Sequence, residues 1–196
     1  MSIAERKARA RDEREQRIEE AARRIASAEG WNAVTIRRLA VEIEYSQPVI
    51  YSHFRNRDAI VSAVAVKGFG QIAKLLRAAK EVSVNDRLAL ENVATAYVDF
   101  ALSQSALYEA MLVLSGELRF AQADAQAELR DAFEALASVV APFCQEVDTA
   151  TETLWAALHG AAELERHGRI RRASRPRRLS LIVQSVLALT HVESGG

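Results

Sequence analysis

The amino-acid sequence predicts an all-α fold, with an N-terminal helix-turn-helix domain followed by a larger helical domain. Three observations support this prediction. Hydrophobic residues make up 49% of the 196 residues, which is enough for a sizeable core. Proline occurs only as Pro48, Pro142 and Pro176, so helices have few interruptions. Two short capped segments lie close together between Thr35 and Phe54, with apolar residues at helical spacing.

Composition and charge limit the classes of protein that fit. The formal net charge is zero, which argues against a protein that is basic overall. The distribution is uneven, because residues 1–11 hold four cations against one carboxylate, namely Arg6, Lys7, Arg9 and Arg11 against Glu5. Such a cluster suits phosphate contacts, although a solvated tail explains it equally well.

Hydropathy and cysteine usage predict a cytoplasmic protein. The sequence contains no run of eighteen apolar residues, and Met1 leads into a charged segment rather than an apolar leader. Cys144 is the one cysteine, which excludes an intramolecular disulfide. Its apolar neighbours favour a small buried side chain.

The first helix is predicted over residues 5–29. It is charged through Gln16, and one face of its second half is apolar, formed by Ile18, Ala21, Ala22, Ile25 and Ala26. Gly30 follows at the position after a helix C-terminus where a positive φ is common. Trp31 is expected to be a core side chain that closes a small three-helix domain.

A helix-turn-helix is predicted over residues 35–54. Thr35 is a suitable N-cap for a helix whose apolar stripe is Ile36, Leu39, Ala40 and Ile43. Ser46 offers a second N-cap, and Pro48 falls in the first turn, where a missing N–H costs little. In this motif the second helix enters the major groove, so Gln47, Val49 and Tyr51 are candidate base contacts. The helix pair alone is weak evidence, since many all-α proteins contain one.

The flanking residues make the pattern specific. Gly30-Trp31, Thr35, Tyr51-Ser52-His53-Phe54 and Arg57-Asp58 occur in register, and residues 18–60 resemble the DNA-binding domain of TetR-type transcriptional regulators. The resemblance implies that Tyr51 and His53 contact phosphate, while Phe54 turns into the core. The full set of expected DNA-binding residues is Thr35, Arg37, Ser46, Gln47, Pro48, Val49, Tyr51, His53 and Arg57.

Two positions depart from the pattern of that family. The turn generally holds glycine, where this chain has Glu44. A residue other than glycine at left-handed φ costs roughly 1 kcal/mol, so we expect the turn to be shaped a little differently. Pro48-Val49 stands where Gly-Thr is common, so base preference cannot be copied from a relative.

The next helix is expected to begin after the N-cap Asn56 and to continue to about Ala79. Arg57 lies at its start, where anions are attracted, which suits a phosphate clamp. Gly68 and Gly70 lie inside this helix, either as a hinge or as sites of close packing. We therefore predict a DNA-binding domain over 1–56, a connecting helix over 57–80 and a regulatory and dimerisation domain over 81–196.

The regulatory domain is predicted to contain helices near 86–104, 107–121, 124–146, 150–167 and 175–192. Thr149 and Glu152 would form a capping box for the fourth of these helices. Trp155, His159 and Gly160 resemble the Trp-x-x-x-His-Gly signature of one branch of TetR-type C-terminal domains. That resemblance implies a homodimer through the helices near 150–167 and 175–192, with a small-molecule effector, largely apolar, bound in this domain. The candidate lining residues, each as easily plain core, are Tyr97, Phe100, Tyr108, Met111, Trp155 and His159.

Other chemistry has little support in the sequence. His159, Glu163 and His167 share a helical face, but no metal-binding motif accompanies them. Neither a phosphate loop nor a nucleophile elbow is present, so we expect no enzyme activity and no cofactor. Seven arginines lie in the segment from Arg166 to Arg178. They could form a second contact with nucleic acid or with a membrane surface, or they could belong to a solvated loop. We favour the solvated loop.

The sequence thus predicts a cytoplasmic, homodimeric DNA-binding transcriptional regulator, a repressor released from its operator by a small molecule. Two alternatives remain. An all-helical carrier of a small molecule would have a pocket and no role at DNA. An architectural DNA-binding protein without an effector would show little sequence preference.

Overall fold

The computed structural model describes residues 2–114 and 123–189. All regular elements in these ranges are helical, and they contain no strand, which confirms the predicted all-α fold. The described residues form two compact units. The first contains residues 2–68 and 106–114, and the second contains residues 69–105 and 123–189.

The first unit is built from short helices around a small core. Its elements are α1 (Ile3–Glu29), a 3₁₀ turn (Trp31–Ala33), α2 (Ile36–Glu42), α3 (Gln47–Tyr51), the first half of α4 (Arg57–Glu81), α6 (Ser105–Glu109) and a π-helical segment (Ala110–Leu114). Its core contains Ile18, Ile25, Trp31, Leu39, Ile50, Phe54 and Ile60, among other residues. The predicted core positions of Trp31 and Phe54 are therefore confirmed.

The end of α1 is shaped by glycine and tryptophan. Gly30 has a φ of 81°, and its N–H donates to the carbonyl of Ala26 at 2.9 Å, as the sequence predicts for this position. The buried indole of Trp31 donates from Nε1 to the carbonyl of Ala106 at 2.7 Å. This bond ties the turn after α1 to α6.

The turn between α2 and α3 keeps the left-handed conformation although Glu44 stands where glycine is usual, so the altered turn expected from the sequence is not seen. The φ of Glu44 is 57°, in the left-handed region. The N–H of Tyr45 donates to the carbonyl of Ala40 at 2.9 Å, and that of Glu44 faces the carbonyl of Val41 at 3.4 Å. These two bonds form the Schellman arrangement that ends a helix.

The long helix α4 is uninterrupted from Arg57 to Glu81. Asn56 caps it, since Oδ1 accepts from the N–H of Ala59 at 2.9 Å. A Cβ at Gly68 would lie 2.5 Å from Met111 Sδ, and one at Gly70 would lie 2.7 Å from Glu128 Oε2. Both glycines therefore permit close packing, the second of the two roles considered for them.

Among the described residues, α4 is long and apolar enough to cross a membrane, since an 18-residue stretch of it has a mean hydropathy of 1.5. Half of that stretch is buried inside the structure. A core helix of a globular protein meets the same criterion, so this is weak evidence for a membrane segment.

The second unit is a bundle of α5 (Asp86–Ser103), α7 (Ala123–Val140), α8 (Val147–Arg166) and α9 (Arg175–Leu187). The second half of α4 belongs to it as well. α5 packs against α7, α8 and α9, and α8 packs against α7 and α9. Its buried side chains include Leu90, Val93, Tyr97, Leu136, Leu154, Leu158 and Val183.

Three predicted helix boundaries in this region need correction. α8 begins at Val147, so Thr149 is inside the helix and the predicted capping box with Glu152 is wrong. Val147 is half-buried, and Glu146 at the N-cap position makes no side-chain capping bond. α7 ends at Val140, before a 3₁₀ turn that contains Pro142. The helix predicted near 107–121 is α6 followed by π-helix, and residues 115–122 lie outside the described ranges.

The arginine-rich segment is partly structural. Glu165, with a side chain only 4% exposed, pairs with both Arg175 and Arg178. Arg175 also contacts Asp99 at 3.0 Å. The Arg175 guanidinium, and after it Arg178, lowers the pKa of Glu165 below its ordinary value of 4.5. Part of this segment thus joins α8 to α9 rather than forming a solvated loop.

Candidate nucleic-acid interface

The short helix α3 presents one face to solvent and one residue to the core. Ile50 is fully buried and anchors the helix. Gln47 and Pro48 are exposed, and the exposed fractions of Val49 and Tyr51 are 37% and 53%. Large apolar side chains exposed together on a helix indicate a contact surface.

The caps of α2 and α3 place their N-terminal ends. The hydroxyl of Thr35 accepts from the N–H of Arg38 at 3.1 Å, as predicted for an N-cap. Ser46 occupies the N-cap position of α3, but its side chain makes no capping bond. Pro48 lies in the first turn, where its missing N–H leaves no helical bond unmade.

Cations near α3 divide into exposed and engaged side chains. Arg37 on α2 and Arg55 after α3 are exposed and make no ion pair within the described part of the chain. Arg38 instead pairs with Glu29 at 2.6 Å. Arg55 is one of the four arginines that bracket α3 in the sequence, a cluster that suits phosphate contacts, although the expected set of DNA-binding residues does not name it.

Arg57 is engaged within the first unit. Its Nε donates to the carbonyl of Val34 at 2.9 Å, and its Nη2 donates to the carbonyl of Trp31 at 2.8 Å. A third nitrogen, Nη1, lies 3.3 Å from Asp58 Oδ1. These bonds fasten the start of α4 to the turn before α2, so the contacts favour a positioning role over the phosphate clamp predicted for it.

His53 is likewise turned inward. Its side chain is 6% exposed, and Nδ1 lies 3.1 Å from Glu15 Oε1. The ring donates to a carboxylate in this geometry and joins the end of α3 to α1. The contact with Glu15 is not evident from the sequence, because 38 residues separate the partners.

Two further contacts hold α1 against its neighbours in the first unit. Arg17 Nη1 donates to the hydroxyl of Tyr45 at 3.3 Å, and its guanidinium lies 5.4 Å from the ring centroid. Glu19 is buried, and Lys67 Nζ lies 2.5 Å from its Oε2. Burial raises the pKa of Glu19, and the Lys67 ammonium partly offsets this.

The six candidate pocket residues fall into both units. Tyr97, Phe100, Trp155 and His159 belong to the second unit, and Tyr108 and Met111 belong to the first. Trp155 Nε1 donates to the hydroxyl of Tyr97 at 2.8 Å, so these two side chains are in contact. Tyr97, Phe100, Tyr108 and Met111 are buried, and Trp155 and His159 are half-buried. The effector role of these residues remains a prediction.

The histidines considered for a metal site make other contacts. His167 Nδ1 lies 2.9 Å from the carbonyl oxygen of Glu163, and the carboxylate of Glu163 pairs with Arg166 at 3.0 Å. Within residues 2–114 and 123–189, no group of three or more His, Cys, Asp or Glu side chains is placed to hold a metal ion. Cys144 is half-buried rather than fully buried.

Comparison with known families identifies the architecture. Residues 18–64 match the family model "Bacterial regulatory proteins, tetR family". Residues 90–186 match the model "Tetracyclin repressor-like, C-terminal domain". The chain belongs to the TetR family. Members of this family are DNA-binding regulators rather than enzymes, and α2 and α3 form the helix-turn-helix of this chain. The Trp-His-Gly branch remains a prediction.

Individual relatives agree with this assignment. The uncharacterized HTH-type transcriptional regulator YobS of Bacillus subtilis (strain 168) is 35% identical over 100 residues. That match covers 49% of this chain and 50% of YobS, so the chain spans about half the length of that relative.

Solved structures share the fold. A protein with unknown function from Rhodococcus sp. RHA1 has a TM-score of 0.76 at 22% identity, covering 88% of this chain and 93% of that one. A bacterial regulatory protein in the tetR family from Rhodococcus RHA1 has a TM-score of 0.63 at 18% identity, covering 90% and 96%. At these identities the likeness concerns the fold alone.

Proposed function

We propose that this TetR-family chain is a cytoplasmic, homodimeric repressor that binds operator DNA through α3 and leaves it when a small molecule binds. One observation carries the DNA-binding part of the proposal. α3 exposes Gln47, Pro48, Val49 and Tyr51 together, while Ile50 and the cap at Thr35 hold the two helices in place. The whole exposed face of α3 is thus available to a groove of duplex DNA.

Within this face the side chains differ in chemistry. The amide of Gln47 can pair bidentately with adenine N6 and N7. Val49 can pack against the methyl group of thymine. These two residues are therefore the proposed base contacts, and they favour A·T pairs in the half-site.

Phosphate contacts are assigned to the exposed donors around α3. Arg37, Arg55 and the hydroxyl of Tyr51 are free to reach the backbone. Thr35 and Ser46 lie at the helix starts, where backbone N–H groups can also face phosphate. His53 and Arg57 act from within, because their bonds to Glu15 and to the carbonyls of Trp31 and Val34 orient α3 and α4.

The dimer is proposed to form through α8 and α9. Ala156, Gly160 and Leu164 follow one another at four-residue spacing on α8. Among the described residues, no atom outside the neighbouring turns of α8 lies within 4 Å of a Cβ built at Gly160. Leu164 is 47% exposed, and Leu181 on α9 is 54% exposed. A second copy would cover these apolar side chains, and twofold symmetry would place two α3 helices on one palindrome.

Release by an effector requires that the ligand prefer a state of the protein that DNA does not. The hydrogen bond from Trp31 to the carbonyl of Ala106 joins α6 to the turn before α2. An effector that displaces α6 would therefore displace this turn as well. The effector is proposed to be largely apolar, because small-molecule sites in proteins are lined mainly by apolar side chains.

The test is selection of bound sequences from a random duplex pool, followed by affinity measurements on the selected duplex at several salt concentrations. We expect a palindrome with two half-sites about one helical turn or more apart. The Gln47→Ala variant should lose preference at one base pair of each half-site, costing about 1–3 kcal/mol per half-site at that base pair. Gln71→Ala, on the exposed face of α4, is the matched control and should keep the consensus.

The other outcomes distinguish the alternatives. Binding without a consensus would favour an architectural DNA-binding protein, and no binding to any duplex would favour a carrier. A Gln47→Ala variant with an unchanged consensus would remove Gln47 as a base contact.

A further inference from the structure

The first four turns of α1 contribute no side chain to the core. The buried residues of this helix begin at Ile18, so residues 3–17 form a helical arm about 22 Å long. An isolated helix of this length is marginal in water. Local interactions compensate, namely a capping box between Ser2 and Glu5 and the ion pairs Arg9–Glu13 and Arg11–Glu15.

The charges of the arm are sorted onto two faces. At about 100° per residue, five cations fall within a sector of about 140°: Arg6, Lys7, Arg11, Arg14 and Arg17. Glu5 and Asp12 lie on the opposite face. Glu13 lies at the border of the cationic sector and pairs with Arg9 at 3.1 Å. The arm is therefore strongly basic on one side only, although its overall charge is modest.

The basic face adjoins the end of α3. Arg6, Lys7, Arg11 and Arg14 line an open groove whose other wall is Ser52 and His53. The contact between His53 and Glu15 fixes the arm beside α3. Ser52 and His53 directly follow Tyr51, so the groove begins where α3 ends.

Three of the cations that line the groove make no ion pair with any described residue. Arg6, Lys7 and Arg14 are exposed, and the described part of the chain offers them no ion pair. Arg11 shares Glu15 with His53. Unpaired cations held on a preformed helix lose little conformational freedom when they bind a polyanion.

We propose that this arm is a second DNA-contacting element, which clamps the phosphate backbone of duplex DNA just outside the bases that α3 contacts. The inference rests on the proposed function, because the ligand of the groove is the phosphate backbone of the same duplex that α3 binds. Arg6, Lys7 and Arg14 supply the phosphate contacts, and they carry no base preference. The arm lengthens the protected duplex and raises the salt dependence of binding.

The test compares two full-length triple variants on the selected duplex. Arg6→Ala/Lys7→Ala/Arg14→Ala removes the three cations, and alanine preserves the helix. Arg169→Ala/Arg171→Ala/Arg172→Ala removes the same charge from exposed side chains of the second unit that make no ion pair with any described residue. Binding is measured against salt concentration and against duplexes whose flanks are shortened one base pair at a time.

For the arm variant we expect the slope of log K against log salt to fall by about 0.9 per lost contact, or by about 2–3 for each bound protomer. Shortening the flanks should weaken the unmodified protein but not the arm variant, and the consensus should be the same for both. Arg6→Lys/Arg14→Lys keeps the charges and should keep the slope. The control triple variant should behave like the unmodified protein.

An arm variant with the unmodified slope and flank dependence would overturn the inference, and so would an equal change in the control triple variant. If the unmodified protein selects a consensus while the arm variant matches it in every respect, this inference alone fails. If the unmodified protein binds no duplex, the proposed function fails and the arm loses its ligand.

Discussion

Glu44 holds a backbone conformation that its own side chain disfavours. Among the described residues, Glu44 is the one residue other than glycine with a positive φ, which is 57°. The left-handed region brings Cβ close to the following carbonyl, which costs about 1 kcal/mol. The two bonds that end α2 over-determine this turn, so the strain persists.

Replacing Glu44 by glycine should therefore stabilise the protein. We expect Glu44→Gly to raise the free energy of unfolding by about 1 kcal/mol, measured by urea titration with an unchanged m-value. Glu44→Ala is the matched control, because it removes the same charge and keeps the strained Cβ. Equal stability of the glycine and alanine variants would show that the turn conformation is not strained.

Glu165 gives a second prediction at the scale of one residue, through its pH dependence. Arg175 and Arg178 hold its pKa below the ordinary value of 4.5. Its stabilising contribution is fully present above that ordinary pKa and is lost as the pH falls through the lowered pKa of the folded state. We expect Glu165→Gln to lose about 1.5–3 kcal/mol at pH 7, the range for hydrogen bonds to charged groups.

The check is urea unfolding of both proteins from pH 7 down into the acid range. The difference between them should shrink as the pH falls through the lowered pKa of Glu165. Glu152→Gln, an exposed position on the same helix, should match the unmodified protein throughout. A difference between Glu165→Gln and the unmodified protein that is independent of pH would contradict the ionic origin of the effect.

At the scale of elements, the two tryptophans anchor different helices. Trp31 donates to the carbonyl of Ala106 in the first unit, and Trp155 donates to Tyr97 in the second. Trp31→Phe keeps an aromatic ring but leaves the carbonyl of Ala106 without its donor. We expect a loss of about 1–2 kcal/mol and faster amide exchange in Ser105–Glu109, measured by mass spectrometry.

Trp155→Phe is the matched control for this experiment. It removes the same kind of bond from the other unit and should leave exchange in Ser105–Glu109 unchanged. Equal exchange of that segment in both variants would mean that the indole bond does not hold α6.

The same elements show how far the sequence alone reaches. Local chemistry predicted the N-cap at Thr35, the positive φ at Gly30 and the buried face of Ile18 and Ile25, and all are confirmed. These features depend on neighbours within a few residues, where residue type and spacing are sufficient. The start of α8 at Val147 was missed because the residue types of Thr149 and Glu152 suggest a capping box that the structure does not form.

The functional surface was only partly predictable for the same reason. Exposure of Val49 and Tyr51 follows from the helical period once Ile50 is known to face the core. The inward positions of His53 and Arg57 depend on Glu15 and on the carbonyls of Val34 and Trp31. Those partners are 23 to 38 residues away in the chain, so no local sequence pattern predicts these contacts.

At the scale of the whole molecule, binding of two half-sites requires two chains. Leu164 and Leu181 are exposed apolar side chains on the proposed dimer surface. Placing carboxylates there would leave unpaired charges inside the interface, which is strongly unfavourable. We expect Leu164→Glu/Leu181→Glu to be a monomer by sedimentation at concentrations at which the unmodified protein is a dimer.

This change should also separate affinity for one half-site from affinity for the palindrome. A monomer keeps α3 intact, so its affinity for a single half-site should be unchanged. Its affinity for the palindrome should fall to nearly that of the half-site, because the second contact is no longer intramolecular. Val82→Glu/Val84→Glu is the control, since these valines are 78% and 85% exposed and lie outside α8 and α9. A dimeric Leu164→Glu/Leu181→Glu variant would place the symmetry axis elsewhere on the molecule.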